Sequence, residues 1–313
     1  MENLQSSLYA DKFQGMASVV LENAVIRAEV VPELGGKIVS LRYKSTGKEW
    51  LISSGDRPLK SLAYGSVFTE ADMSGWDECF PTINACAIGK NNEILLPDHG
   101  EVWSLPWSSV MTEKKLIGSV DGKRLPYRLT REIELIGTST LRLTYTIENR
   151  GAIPLPFLWT AHPQFAIDEP TKLLLPSTMR KLLCVFNSQQ GEAGSSFIVP
   201  DNWLITSEAS GEGQKYYYPS PVSEAWSGLY GQQSNNYLLL KTDAATVPYW
   251  GVWVDKGMCN DRTTVALEPG IGYYDSLVRA ISNGSAHMLA ARESTSWHLD
   301  IVLGYGEFQQ HLS

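Results

Sequence analysis

The sequence predicts an all-β fold, a large antiparallel β-sandwich, on three observations. Short apolar runs bounded by turn residues follow one another along the chain. The clearest of them alternate with a period of two, and helical periodicity is weak throughout. With 43% apolar residues in 313, the chain can build a continuous core. Large all-β proteins of this length often form one unit, so residues 1–313 are read as a single domain.

The elements follow in order. Ser18 to Val31 holds two apolar runs around Glu22-Asn23-Ala24. Ile38 to Tyr43 and Glu49 to Ser53 flank the turn Lys44 to Lys48, which reads as a hairpin. The strongest alternation places Leu129, Arg131, Ile133 and Leu135 on one face. After the turn Gly137-Thr138-Ser139, the residues Leu141, Leu143, Tyr145 and Ile147 share one face of a return strand. That is a half-buried antiparallel hairpin with Arg131 as its one conflicting residue. The turn Asn149-Arg150-Gly151 leads into the apolar run that carries His162. Asn187 to Ser220 is rich in Gly, Ser, Gln and Tyr and reads as long irregular connections. Trp297, Leu299, Ile301 and Leu303 alternate in a closing strand.

Two residues stand out chemically. Phe157 to Ala161 precedes His162-Pro163, and Thr263 to Leu267 precedes Glu268-Pro269. A residue before proline is pushed into extended backbone, and proline has no N–H to donate to a ladder. An imidazole and a carboxylate are therefore expected at the rim of a sheet, held by stiffened backbone. The first is a good general acid near neutral pH and the second a good general base. Further polar clusters surround Asp77-Glu78, Asp98-His99, and Trp250 with Trp253. Tryptophan occurs ten times, and Trp76, Trp103, Trp159, Trp250 and Trp253 fall inside the clusters. Flat apolar faces beside hydrogen-bonding groups suit a sugar ring. His99, Asp77, Trp103 and Trp253 are thus candidate sugar contacts. Adjacent residues in a strand face opposite ways, so only one of Asp77 and Glu78 faces a cleft, and Asp77 is the choice.

These clusters, in this order, resemble the aldose 1-epimerase (galactose mutarotase-like) family, from Val31-Pro32-Glu33-Leu34-Gly35-Gly36 to Glu293-Ser294-Thr295-Ser296-Trp297. The resemblance implies a supersandwich of antiparallel sheets with a sugar cleft. It also implies exchange of the α and β anomers of an aldose without metal or cofactor. In that family pattern His162 protonates the ring oxygen, Glu268 removes the anomeric hydroxyl proton, and His99 helps hold the sugar. The chain departs from the pattern in two places. Gly75-Trp76-Asp77-Glu78 stands where an Asn-Arg motif is expected, and no substrate-binding aspartate is evident between Asn187 and Ser220. Two other readings compete. A glycoside hydrolase would pair Glu268 with Asp77, Glu78 or Glu101. A sugar-binding module would keep the aromatic cleft without turnover.

A net charge of −8 and the lack of Lys/Arg runs argue against a nucleic-acid partner. The apolar runs are too short to span a bilayer. Met1 to Ser7 has neither a basic start nor an apolar core, so no signal peptide is expected. Cys79, Cys86, Cys184 and Cys259 lack zinc-like or disulfide-like spacing, which suits a cytoplasmic protein. The expected partner is a monosaccharide, and the chain is expected as a monomer or homodimer.

Overall fold

The computed structural model describes residues 6–189 and 194–307. Met1 to Gln5, read above for a signal peptide, and residues 190–193 of the segment from Asn187 to Ser220 lie outside them. Among the described residues, one sheet has thirteen strands and a second has nine. The first runs, in spatial order, from Ser7–Phe13 through Met16–Glu22, Ile26–Val31, Lys37–Tyr43, Trp76–Cys79 and Trp159–Pro163 to Thr263–Ile271. It continues through Tyr249–Lys256, Glu212–Tyr217 and Lys181–Asn187 to Ser195–Ile198. The second is centred on the long strands Tyr127–Ile136, Thr140–Asn149 and Ser294–Tyr305. One continuous apolar cluster, from Val19 to Leu303, fills the space between the sheets. Among the described residues, helix is confined to the single turn-and-a-half Leu277–Ser282 and the 3-10 turns Phe68–Glu70 and Val102–Ser104.

The long hairpin pairs as its alternation requires. Leu129 lies opposite Ile147, Ile133 opposite Leu143 and Leu135 opposite Leu141. Trp297, Leu299, Ile301 and Leu303 are buried on the neighbouring strand. Arg131 is not an error in the pattern. Its side chain stays in the core, where Nη1 donates to Glu78 Oε1 at 2.9 Å, and Tyr145 and Trp159 donate to the same carboxylate. A charge buried among apolar residues persists only when paired in this way. Past the turn Lys44 to Lys48, only Lys48–Glu49 forms a strand, and Leu51 makes a single bridge to Phe165.

Two expectations need correction. The strand of Glu268, Thr263–Ile271, runs on past Pro269, so Glu268 sits within the large sheet rather than at a strand end, whereas Trp159–Pro163 ends at its proline with His162 beside it. Trp159–Pro163 and Thr263–Ile271 pair at Thr160 and Gly270, and the same register resumes where Phe165 meets Val265. Between these points both Pro163 and Pro269 lack an N–H, so the ladder bonds are missing there. The segment from Asn187 to Ser220 is not wholly irregular either. It contains Ser195–Ile198, Leu204–Ile205 and Glu212–Tyr217, the last an inner strand of the large sheet. Polar residues and glycines masked it, because its outward face is lined by side chains that pair with one another.

Candidate functional site

Residues directly opposite each other on neighbouring strands point to the same face of a sheet. Asp77 lies opposite His162, and Glu268 lies opposite Gly251, which in turn lies opposite Tyr217. Carrying the Thr160–Gly270 register two residues on puts His162 opposite Glu268. Lys37, beside the Ile38–Trp76 contact, faces Asp77. The outward face of the large sheet therefore carries a row of functional groups drawn from successive strands: Lys37, Asp77, His162 and Glu268. Lys215, opposite Trp253, approaches this row from the far side.

His162 Nε2 lies 3.9 Å from Glu268 Oε1. Glu268 Oε1 and His162 Nδ1 are buried and have no hydrogen-bond partner among the described residues. The other carboxylate oxygen of Glu268, Oε2, accepts a hydrogen bond from the Lys215 ammonium, which also lies 3.6 Å from Asp275 Oδ1. On the other side of the histidine, Lys37 Nζ donates to both oxygens of Asp72 at 3.0 Å and to the Ser74 carbonyl. Asp77 Oδ2 is 3.1 Å from the same ammonium but off its bonding directions, so both Asp77 oxygens remain without a hydrogen bond. Buried oxygens without donors are costly, and a ligand rich in hydroxyl groups would satisfy them.

Burial sets the proton affinities. It holds the His162 imidazole well below its ordinary pKa, with help from His99 and Lys215. It pushes Glu268 up, against the pull of Lys215. Asp77 is pushed up to about 6 by burial, with Lys37 opposing. The unliganded site therefore holds a neutral imidazole at neutral pH, not the protonated acid expected from the sequence.

The remaining candidates divide into wall and support. His99 adopts a left-handed backbone (φ 57°) and its Nδ1 lies 3.0 Å from Asp98 Oδ1. Its ring stacks on Phe68 at 4.1 Å and meets His162 edge-on at 5.2 Å. Asp98 organises this corner, accepting from the Phe68 N–H through its carboxylate and from the Trp103 indole through its carbonyl. Trp103 is buried behind Phe68, so it supports the wall while Phe68 meets both histidines. Trp253 is half-buried on the Glu268 face, with its ring against Phe186. Glu78 faces the core and Asp77 the outward face, as alternation predicts. Glu101 is engaged elsewhere, accepting from the Tyr64 hydroxyl and the backbone N–H groups of Lys123 and Arg124.

Sequence reading missed Lys37, Lys215, Phe68 and Asp275. A lysine in an alternating strand ordinarily marks the solvent side. For Lys215 the available signal was its position in the Gly213-Gln214-Lys215-Tyr216-Tyr217 run, whose tyrosines favour a strand. A cavity of about 240 Å³ elsewhere, lined by Leu174, Met179 and Trp226, includes none of these residues.

No family model and no curated protein matches this sequence. Solved structures do match. The Slr1438 protein of Synechocystis sp. PCC 6803 aligns with a TM-score of 0.73 at 18% identity, covering 98% of this chain and 100% of that one. A galactose mutarotase-like protein from Clostridium acetobutylicum gives 0.72 at 13% identity, covering 97% and 100%. Another from Lactobacillus casei ATCC 334 gives 0.69 at 14% identity, covering 92% and 100%. At these identities the likeness is one of fold: the architecture is the galactose mutarotase-like sandwich.

Proposed function

We propose that the protein is an aldose 1-epimerase, which interconverts the α and β anomers of a monosaccharide by general acid–base catalysis. The observation that carries this reading is the 3.9 Å separation of His162 Nε2 and Glu268 Oε1. In mutarotation the anomeric hydroxyl loses a proton while the ring oxygen gains one, and both oxygens are bonded to the same carbon. The acid and base must therefore stand side by side, with unblocked atoms.

In the reaction, Glu268 Oε1 accepts the hydroxyl proton and His162 gives a proton to the ring oxygen. The bond between C1 and the ring oxygen breaks as the C1 carbonyl forms. The open aldehyde turns about C1–C2 and closes on its other face, with both transfers reversed and no net proton consumed. The opposed shifts of Glu268 and His162 bring their proton affinities together. The reactive form is the one-proton state with that proton on His162 and Glu268 ionised, a minor form of the unliganded pair, and the apparent pKa values belong to both groups together. Asp77 and His99 hold sugar hydroxyls, and the buried Phe68 ring backs the two histidines. The chemistry requires only proton transfer. The fold shared with two galactose mutarotase-like proteins supports the same reading.

Retaining hydrolases set their carboxyl groups about 5–5.5 Å apart, and inverting ones about 6.5–9.5 Å. Of the carboxylates considered from sequence, Glu78 faces the core and Glu101 is engaged by Tyr64. Asp77 remains, separated from Glu268 by the histidine strand. The test is a panel of pure aldose anomers followed by NMR in the presence of the protein. Accelerated equilibration of at least one aldose supports the proposal. Release of sugar from a glycoside without anomer exchange would favour the hydrolase.

A further inference from the structure

We propose that Lys215 is the positioning residue for the base: it caps Glu268 Oε2 and leaves Oε1 as the one oxygen open to the anomeric hydroxyl. This deepens the epimerase reading and rests on it. Four observations bear on the assignment. The Lys215 ammonium bonds to Oε2 and not to Oε1, which faces His162. Lys215 is itself fixed from behind, 3.6 Å from Asp275 Oδ1, and Asp275 accepts a 2.6 Å hydrogen bond from the Tyr217 hydroxyl. The ammonium also lies 5.3 Å from the Tyr217 ring centre, within cation–π range. Finally, the lysine must reach across an intervening strand, and the residue opposite Glu268 there is Gly251. A Cβ at that position would come within 2.9 Å of Glu268 Oε2 and 3.0 Å of the Tyr217 ring. A side chain there would press on the very carboxylate oxygen that the lysine caps.

A carboxylate with one oxygen occupied has a fixed plane and a single accepting atom, which is what a base beside a particular acid requires. The cation also favours the ionised form of Glu268, and Asp275 acts on it with the opposite sign. These opposed charges give the proposal a signed test.

The experiment uses the full-length protein with Lys215→Met, Lys215→Arg and Asp275→Asn, reading kcat and KM for anomer exchange against pH, with thermal unfolding as the control for folding. Lys215→Met is expected to lower kcat at neutral pH about tenfold or more with little change in KM. Its acid limb, set by protonation of Glu268, should move up by about one pH unit or more, since an opposite charge at this range shifts a carboxylate by roughly 1–3 units. Lys215→Arg should restore part of the rate, and Asp275→Asn should move the same limb down. A folded Lys215→Met protein with unchanged kcat and pH profile overturns the proposal, as does a change confined to KM, which would make Lys215 a sugar contact. If Lys215→Met does not fold, the downward shift in Asp275→Asn decides, and its absence overturns the proposal. If the wild type exchanges no anomers, the epimerase reading fails separately. The carboxyl ¹³C titration of Glu268 then tests the lysine alone, with an upward move expected in Lys215→Met and no move counting against it.

Discussion

In the proposed reading His162 and Glu268 carry the chemistry: both are buried, and Glu268 Oε1, which has no hydrogen-bond partner among the described residues, lies 3.9 Å from His162 Nε2. Burial has a thermodynamic consequence that is measurable without substrate. An unfolded histidine titrates near about 6.5, whereas folded His162 titrates well below its ordinary value. Between the folded value and about 6.5 the unfolded chain binds more protons than the folded one, so stability falls as the pH drops through that window. Urea unfolding at pH 7.5 and pH 5.5 should therefore show a larger acid loss in the wild type than in His162→Asn. Asp77, raised to about 6, and Glu268, also raised by burial, contribute with the opposite sign in both proteins, so the comparison isolates the loss that depends on His162. Equal acid losses would contradict the account of His162. At this scale the sequence made His162, Glu268 and the outward choice of Asp77 legible, because proline neighbours and strand alternation constrain direction. Lys37 and Lys215 were not legible. Each is buried only because carboxylates distant in sequence, Asp72 and Glu268, come to meet it, and no local pattern records a long-range partner.

The long hairpin Tyr127–Ile136 and Thr140–Asn149 displays the same limit in an element otherwise fully readable. Its register followed from the turn and the alternation, while Arg131 read as a conflict until Glu78 appeared opposite it in the core. Breaking one partner of such a buried pair typically costs about 3–5 kcal/mol. Arg131→Met should therefore destabilise the protein by that order in urea unfolding. The double change Arg131→Met with Glu78→Gln should recover much of the loss, because it leaves no unpaired charge and keeps an acceptor beside Tyr145 and Trp159. A single variant within about 0.5 kcal/mol of wild type, the range of ordinary surface substitutions, would mean that the pair is not a structural requirement. Of the two proline-bearing strands, that of His162 ends at its proline as read, while that of Glu268 runs on past Pro269. Proline removes a donor, but here two prolines face one shared gap in the ladder, and the pairing resumes beyond it. That arrangement keeps His162 and Glu268 opposite each other in the body of the sheet.

At the scale of the whole molecule, two antiparallel sheets enclose one continuous core, and the outward face of the larger sheet gathers residues from positions 37 to 275. The fold class was legible because period-two patterning repeats across the chain. The convergence of strands distant in sequence was not, since strand order is set by packing rather than by local propensity. On this assembled surface the proposed reaction has two adjacent groups exchange protons with the two oxygens of one sugar carbon. The measurement that tests it most directly is saturation-transfer NMR of anomer exchange by the wild type, Glu268→Gln, His162→Asn and the double variant. The account predicts that the wild type accelerates exchange and that each single change lowers kcat by roughly 10²-fold or more with a much smaller effect on KM. The double variant should be far less than multiplicatively worse, because the pair acts as a unit. Exchange near the wild-type rate in His162→Asn, with activity abolished instead by Asp77→Asn, would contradict it.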